Sequence, residues 1–327
     1  MTEAIRTEAL GKIYPGGAVA LADVNLSVRR GEIFGFLGPN GAGKTTTISI
    51  LTTLLQPTAG TAAIDGIDVV EHPDRIRRKI GLVFQRSTAD DTLTGRENLE
   101  IAAGLYGLAP AEARSRIRAI LERLDLGEAA DRLVRGYSGG MRRRLEIAAG
   151  IVHEPELLFL DEPTLGLDPQ GRAQFWEYIR DLRARQSMTI FLTTHYLDEA
   201  DQLSDRIAII DGGRLLTAGT PAGLKDELGA GRVDLRARGG DGSVARVLRE
   251  LPGVTAVERV GEDGAYRLTV SHLDQVVPAI VRSCDAAGID LASISTRRPS
   301  LEEVFLTITG RQYDAGLEPE RADRGGA

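Results

Sequence analysis

Residues 38–45 are Gly38-Pro39-Asn40-Gly41-Ala42-Gly43-Lys44-Thr45, which matches the pattern Gly-x4-Gly-Lys-[Ser/Thr]. A short apolar run, Glu32–Leu37, precedes this stretch, and Thr45–Leu55 follows it with the pattern of a helix that Pro57 would end. Glycines let successive backbone N–H groups turn toward one anion, and the first turn of a helix attracts the same charge. The stretch therefore predicts a phosphate-binding loop between a buried strand and a helix.

The lysine and the threonine of this loop suit a nucleoside triphosphate with Mg²⁺. Lysine occurs at only four positions in the chain, and one of them is Lys44. Its ammonium group can reach the β- and γ-phosphates, and the hydroxyl group of Thr45 can bind Mg²⁺. The predicted nucleotide contacts of this segment are Gly38, Pro39, Asn40, Gly41, Ala42, Gly43, Lys44, Thr45 and Thr46.

Two carboxylates, Asp161 and Glu162, come directly after the apolar run Leu157–Leu160. Ligands of parallel sheets bind at the carboxyl ends of the strands, so these side chains are expected beside the phosphates. Asp161 would hold Mg²⁺, directly or through water. Glu162 would orient the attacking water and deprotonate or polarise it.

Length and composition limit the possible classes of protein. The 327 residues allow two or three domains, and 42% hydrophobic with 27% charged residues is typical of a folded protein. No apolar stretch approaches the roughly 20 residues of a membrane-spanning helix, and Met1–Arg6 lacks the apolar core of a signal peptide. The single cysteine excludes an internal disulfide framework and indicates a reducing compartment. A net charge of -7 argues against a general nucleic-acid-binding surface.

The order of apolar runs predicts an α/β fold. Ile80–Phe84, Leu157–Leu160 and Thr189–Thr193 have the length and composition of buried parallel strands. Glu3–Tyr14 and Leu21–Arg30, on either side of a Pro-Gly-Gly turn, indicate an added antiparallel β part.

A second, smaller α+β domain is predicted at residues 226–310. Lys225–Arg232 has the Gly and charge content of a linker, so the first domain is assigned to residues 1–225. Strands and helices then follow in the order β-α-β-β-α-β, which is that of a ferredoxin-like unit. A last helix begins at a capping box formed by Ser300 and Glu303. We expect the charged residues 311–327 to form a disordered tail.

The segment Tyr137-Ser138-Gly139-Gly140-Met141 makes a family resemblance specific. It keeps the core of the signature Leu-Ser-Gly-Gly-Gln and departs from it at both ends. With the two motifs above, it makes residues 1–225 resemble the nucleotide-binding subunit of an ATP-binding-cassette (ABC) transporter. The resemblance implies a P-loop NTPase fold in which a mixed sheet with helices carries an antiparallel β part and a helical signature subdomain. It also implies that Ser138, Gly139 and Gly140 bind the γ-phosphate of an ATP held by a second, head-to-tail copy.

Four further residues occur in the order of this family. Gln85 matches the Q-loop, whose amide can touch Mg²⁺ or the water, and His195 matches the switch histidine, which can bind the γ-phosphate. Asp168 matches the D-loop, which touches its counterpart across the dimer, and Tyr14 matches the aromatic residue that stacks on adenine. The resemblance thus assigns catalysis to Glu162, His195, Gln85 and Lys44, and Mg²⁺ binding to Thr45, Gln85 and Asp161.

Within the family, the run 193–200 and the C-terminal segment 301–311 resemble the daunorubicin-resistance type of exporter ATPase. This resemblance implies an ATPase that uses ATP and Mg²⁺ and exports drugs, antibiotics or lipids. It would pair with a second copy or a homologous cassette and would bind an integral membrane permease near Arg86–Glu97, peripherally at the cytoplasmic face of the cell membrane. No nucleic-acid partner is expected. A soluble ABC ATPase that acts on ribosomes or DNA, and an importer ATPase, remain alternatives. The sequence does not identify the cargo.

Other conspicuous residues have structural interpretations. We expect Cys284 to lie in an apolar core and Trp176 to contribute to helix packing. His72, His153 and His272 lack the spacing of metal ligands. The run Arg142–Arg144 is interpreted as a solvated helix face.

Overall fold

The structure, a computed structural model, describes residues 2–85, 87–186, 188–227, 231–238, 243–261, 264–310 and 312–313. The chain divides into two compact units, one of residues 1–218 and one of residues 219–313. The composition of residues 225–232 predicts this division after residue 225. Helix Pro221–Glu227 instead belongs to the second unit, because it packs against the last helix, Leu301–Thr309. Most of the predicted tail, 314–327 together with residue 311, lies outside the described residues.

The first unit contains two sheets. Its strands are β1 (Glu3–Ile13), β2 (Val19–Arg29), β3 (Ile33–Leu37), β4 (Ala59–Ile64), β5 (Ile67–Asp68), β6 (Ile80–Val83), β7 (Leu157–Asp161), β8 (Thr189–Thr194), β9 (Arg206–Asp211) and β10 (Arg214–Gly219). One sheet has the order β2-β1-β4-β5, and its neighbouring strands are antiparallel. The other has the order β10-β9-β3-β8-β7-β6, and the strands from β9 to β6 are parallel.

The helices of this unit are α1 (Lys44–Leu51), α2 (Pro73–Arg77), α3 (Gly95–Leu105), α4 (Pro110–Arg123), α5 (Gly139–Ile151), α6 (Pro169–Gln186) and α7 (Leu197–Leu203), with a short 3-10 helix at Val134–Gly136. Helix α1 ends four residues earlier than predicted. Thr53, two residues beyond it, has a left-handed backbone with φ 65°, which an α-helix does not accommodate.

The central residues of the parallel strands are mostly apolar because both faces of these strands are buried. In β7, Leu158 and Leu160 pack into the core beneath α3, α4 and α5, whereas Phe159 packs into the core on the opposite face. In β8, Phe191 lies on this second face and its ring centroid is 5.6 Å from that of Phe159. This two-sided burial explains why these runs lack the alternation of a half-exposed strand.

The central strands end at the same edge of the sheet. Leu37 of β3 pairs with Thr194 of β8, and Asp161 of β7 pairs with Thr193. The loops that follow these three strands therefore begin side by side, as the carboxyl ends of parallel strands do. This edge positions the candidate site.

The second unit consists of α8 (Pro221–Glu227), β11 (Gly231–Arg238), α9 (Ser243–Arg249), β12 (Val254–Arg259), β13 (Ala265–Val270), α10 (Leu273–Ala286), β14 (Asp290–Arg297) and α11 (Leu301–Thr309). Its antiparallel sheet has the order β12-β13-β11-β14, which agrees with the predicted ferredoxin-like arrangement. Cys284 of α10 is fully buried in the core of this unit, as expected.

Trp176 of α6 packs against the core of the first unit, and its indole N–H donates to the buried carboxylate of Glu199 at 3.2 Å. Within the described residues, no helix combines the length and the apolar composition that crossing a membrane requires.

Candidate functional site

The predicted phosphate loop runs from the end of β3 to the first turn of α1. Gly43, which precedes this helix, has φ 108°, and a Cβ atom there would lie 2.7 Å from the carbonyl oxygen of Ala20. Only glycine fits this position without strain, because the backbone is left-handed and the space is filled. Part of the loop lines a cavity of about 640 Å³, namely Asn40, Gly41, Gly43, Lys44 and Thr45, and Thr46 lines it as well.

Lys44 lies at the floor of this cavity and is 4% exposed. Its Nζ donates to the carbonyl oxygens of Gly38 at 2.7 Å and Pro39 at 3.0 Å. The same Nζ lies 3.1 Å from Oε1 of Glu162. The sequence predicted both charged groups at the site, and the structure adds that they contact each other.

Asp161 ends β7, and two threonines donate to its Oδ1. Thr193 Oγ1 donates at 2.6 Å and Thr45 Oγ1 at 3.5 Å. Burial raises the pKa of the Asp161 carboxyl group, and the hydrogen bond from Thr193 only partly offsets this effect. The neighbouring carboxylate of Glu162 raises the pKa further.

Glu162 has a left-handed backbone, with φ 45°, that turns the chain sharply at the strand end. Its N–H donates to the hydroxyl group of Thr193 at 3.0 Å. Its Oε2 lies 3.1 Å from Nδ1 of His195 and accepts from Nε2 of Gln85 at 3.4 Å. A strained residue at a strand end is typical of functional sites.

The surroundings of Glu162 keep its carboxylate charged. Burial alone would raise the pKa of this group, but the contact with His195 and the charge of Lys44 act in the opposite direction. The net effect lowers the pKa of Glu162 below its usual value. At neutral pH the group is therefore ionised and able to accept a proton.

Tyr14 lies next to the loop. Its Oη is 3.4 Å from Oγ1 of Thr46, and the ring is partly exposed. The ammonium group of Lys12 lies 5.6 Å from the ring centroid. Tyr14 thus contacts Thr46, a residue that lines the cavity.

The signature segment lies at a different place in the chain's own fold. Ser138 caps α5, and its Oγ accepts from the N–H of Met141 at 3.3 Å. Ser138 and Gly140 line a second cavity of about 310 Å³, and neither lines the cavity of the phosphate loop. Asp168 lies before α6, where its Oδ1 accepts from the N–H of Gly171 at 2.7 Å. Of the predicted site residues, the structure thus gathers Lys44, Thr45, Gln85, Asp161, Glu162 and His195, and leaves the signature and Asp168 apart.

The interpretation of Arg142–Arg144 as a solvated face is wrong for Arg143. This side chain is 7% exposed and donates to the carbonyl oxygens of Phe84 and Pro163, both at 2.7 Å. Three consecutive arginines are typical of an exposed face, but the carbonyl groups that accept from Arg143 come from distant loops. Thr193 was also missed, because its role depends on pairing between strands.

Comparisons with known proteins agree with this geometry. The family model described as ABC transporter matches residues 21–165, and the model described as ATP-binding protein DrrA1-3-like, C-terminal domain, matches residues 219–309. The daunorubicin resistance ATP-binding protein DrrA3 of Streptomyces coeruleorubidus is 45% identical over 94% of this chain and 96% of its own. The chain belongs to the ABC transporter family.

Other relatives and solved structures place this cassette in the same family. The linearmycin resistance ATP-binding protein LnrL of Bacillus subtilis is 36% identical over 94% of this chain and 98% of its own. The structure of cbiO1 from Clostridium perfringens, part of the ABC transporter complex cbiONQ, has a TM-score of 0.65 at 26% identity. It covers 77% of this chain and 97% of that chain. The predicted family and cassette fold are confirmed, and the chain is an ATPase subunit of the kind that powers transport.

Proposed function

We propose that two copies of this chain, or one copy and a homologous cassette, hydrolyse ATP at the cytoplasmic face of the membrane to drive a permease that exports drugs, antibiotics or lipids. The observation on which the proposal depends is the contact of Lys44, Gln85 and His195 with Glu162 beside the phosphate loop. The printed names of the relatives, which include daunorubicin resistance, linearmycin resistance and Nod factor export, support export over import.

The phosphate loop would bind the triphosphate of ATP. Its backbone N–H groups and the first turn of α1 supply positive partial charge. Lys44 would exchange its carbonyl partners, Gly38 and Pro39, for oxygens of the β- and γ-phosphates. Tyr14 would stack on the adenine at the cavity entrance.

The residues around Asp161 fit Mg²⁺. The hydroxyl group of Thr45, the carboxylate of Asp161 and the amide of Gln85 offer oxygen ligands, which this ion prefers. When bound, Mg²⁺ would neutralise phosphate charge and orient the triphosphate. Thr193 would hold the Asp161 carboxylate in place through its 2.6 Å hydrogen bond.

Glu162 would act as the general base. Its lowered pKa leaves it ionised at neutral pH, and Gln85 and His195 fix its orientation. The water oxygen forms a bond to the γ-phosphorus while the bond to the bridging β–γ oxygen breaks. The water proton passes to Glu162, and ADP leaves with the electron pair of the broken bond. His195 would donate a hydrogen bond to the γ-phosphate.

A second copy would complete each site. Ser138 and Gly140 line a cavity separate from that of the phosphate loop in their own chain, so the signature segment does not border the nucleotide that its own chain would hold. In a head-to-tail pair, this segment would meet the γ-phosphate held by the other copy, and Asp168 would contact its counterpart. The cassette MJ0796, whose solved structure is a dimer bound to ADP and Pi, has a TM-score of 0.60 to this chain at 28% identity and covers 66% of it.

The permease would bind beside the segment Arg86–Glu97, of which Arg86 lies outside the described residues. A separate groove of about 550 Å³ is lined by apolar residues of β6 and the end of α3, together with the charged residues Asp74, Arg77 and Arg78. Leu105 in this groove is 83% exposed, and Leu54 and Tyr106 are also exposed. Adjacent exposed apolar side chains of this kind are typical of a protein-binding surface.

Glu162→Gln tests the proposal. It keeps the size of the side chain and removes the base, so ATP binding should persist while hydrolysis falls by about 100-fold or more. The variant should form a dimer with Mg²⁺ and ATP, measured by light scattering, because closure without hydrolysis holds the copies together. Glu177→Gln, at an exposed position of α6, is the matched control.

Lys44→Ala should abolish nucleotide binding and hydrolysis together.

Normal turnover in Glu162→Gln would refute the assignment of the base, and a wild-type chain that retains no nucleotide would refute the proposal itself. Co-purification of the wild type with a polytopic membrane protein supports transport, whereas co-purification with ribosomes or DNA would contradict it.

A further inference from the structure

Arg143 connects the signature helix to the backbone beside both catalytic candidates. Its Nε donates to the carbonyl oxygen of Pro163, and its Nη1 donates to that of Phe84, both at 2.7 Å. Pro163 directly follows Glu162, and Phe84 directly precedes Gln85. A single guanidinium group therefore holds the two loops whose side chains meet at Glu162.

The planar shape of the guanidinium group suits this role. Its five N–H donors have fixed directions, so two loops bound to it are fixed relative to each other. The Nη1 atom also contacts Oε2 of Glu146 at 2.7 Å, and this buried carboxylate compensates the charge. The hydrogen bond to Pro163 is buried and that to Phe84 is partly buried, so water competes little for these carbonyl oxygens.

Arg143 also reaches toward the signature. It lies five residues after Ser138 on the same helix, α5, and lines the 310 Å³ cavity that Ser138 and Gly140 line. Its Nη2 is buried and has no hydrogen-bond partner among the described residues. The same side chain thus borders the signature cavity and binds the backbone beside Gln85 and Glu162.

We propose that Arg143 is a positioning residue that couples the signature end of α5 to Gln85 and Glu162 of the same chain. This proposal rests on the function proposed above, in which the signature contacts the nucleotide of the other copy. When the signature contacts that nucleotide, α5 shifts and carries the Arg143 guanidinium group with it. The guanidinium group in turn moves the backbone of Phe84 and Pro163, to which it is hydrogen-bonded. When the signature binds the ATP held by the other copy, Gln85 and Glu162 are thereby repositioned around the ATP held by their own chain.

The neighbouring arginine offers a matched control. Arg142 lies on the same helix turn, but its Nη1 donates to Asp91 at 2.8 Å, and this pair is exposed. Lysine at either position keeps the charge and loses the planar fork. Arg143→Lys and Arg142→Lys therefore differ in whether the link to Phe84 and Pro163 is broken.

The experiment measures steady-state ATPase activity, the Hill coefficient for ATP and nucleotide affinity in the purified full chain. In Arg143→Lys we expect kcat to fall by roughly 10-fold or more with KM and nucleotide Kd within about 2-fold, because the residue touches no substrate. The Hill coefficient should fall from above 1 toward 1. Arg142→Lys should match the wild type in all of these values.

Because Arg143 is buried, the thermal midpoint of each variant is measured first, and Arg143→Gln replaces Arg143→Lys if the latter does not fold. An unchanged kcat, an unchanged Hill coefficient, or an equal effect of Arg142→Lys overturns the proposal. Dimer formation by Glu162→Gln tests the proposed function separately. If that dimer forms and the wild type hydrolyses ATP, then wild-type values of kcat and the Hill coefficient in Arg143→Lys refute only the coupling and leave the proposed function intact.

Discussion

Asp161 and Glu162 are adjacent in the sequence and buried to a similar degree, yet their pKa values shift in opposite directions. Glu162 contacts Lys44 and His195, whose positive charge or hydrogen bonding favours its ionised form. Among the described residues, the Asp161 carboxylate accepts hydrogen bonds from hydroxyl groups alone, and these bonds together with the charge of Lys44 do not offset its burial. The ionised form of Asp161 therefore costs folding free energy until a cation binds beside it.

Asp161→Asn should raise the thermal stability of the nucleotide-free chain at pH 7 and abolish ATP hydrolysis. Asparagine keeps an oxygen that accepts from Thr193 and Thr45 and removes the buried charge. A carboxyl group whose pKa is raised on folding destabilises the fold as pH rises from the unfolded value, about 4, through the folded value. The stability gain should therefore grow over this range and vanish at lower pH.

Thermal midpoints of the wild type and of Asp161→Asn, measured between pH 4 and pH 8, check whether the stability gain grows with pH. Asp168→Asn, at an exposed turn, is the control and should show a small, pH-independent change. A gain for Asp161→Asn that shrinks with rising pH would contradict the assigned direction of the Asp161 pKa.

Thr193→Val should destabilise the first unit and reduce turnover. The change preserves the shape of the side chain and removes the hydroxyl group that donates to Asp161 and accepts from the N–H of Glu162. Leaving a buried group unpaired costs about 1–3 kcal/mol of unfolding free energy. Thr52→Val, which removes a buried hydroxyl group bonded only within α1, is the control and should retain full ATPase activity.

The sequence located the charged residues of the site because their spacing has a chemical cause. Lys44, Asp161 and His195 each follow an apolar run that ends at the same sheet edge. It did not locate Arg143 or Thr193. Their partners are backbone and side-chain atoms that only the pairing of strands and the packing of α5 bring close, and no local pattern encodes that proximity.

At the scale of elements, the sequence predicted the buried strands well because two-sided burial produces continuous apolar runs. It did not predict the order of strands in either sheet of the first unit, since pairing depends on contacts between distant segments. The β-α-β-β-α-β order of the second unit was predictable because its elements are short and several of them are separated by glycines with positive φ, at Gly253, Gly261, Gly264 and Gly288.

Helix α11 carries a capping box that should contribute measurably to stability. Ser300 Oγ accepts from the N–H of Glu303, and the Glu303 carboxylate accepts from the N–H of Ser300, both at 3.2 Å. Ser300→Ala should therefore lower the unfolding free energy by about 1 kcal/mol. Urea denaturation checks this value, and Ser293→Ala, at an exposed position of β14, should change it by under about 0.5 kcal/mol. Equal effects of the two changes would argue against the cap.

At the scale of the whole molecule, nucleotide binding should need only the first unit. Every residue that lines the 640 Å³ cavity lies between Ala20 and Tyr196. A chain of residues 1–218 should therefore bind ATP with a Kd within about 3-fold of the full chain, as measured by calorimetry. A chain of residues 1–225 retains most of α8 without α11 and should be less stable than the shorter one. Loss of binding in residues 1–218 would show that the second unit supports the site.

Each unit contains its own natural spectroscopic or chemical reporter. The only tryptophan, Trp176, lies in the first unit, and the only cysteine, Cys284, lies fully buried in the second, where burial raises the pKa of its thiol. Fluorescence during denaturation therefore follows one unit, while the rate of maleimide labelling follows the other. These two native side chains thus allow the order in which the units melt to be determined without introducing a reporter residue.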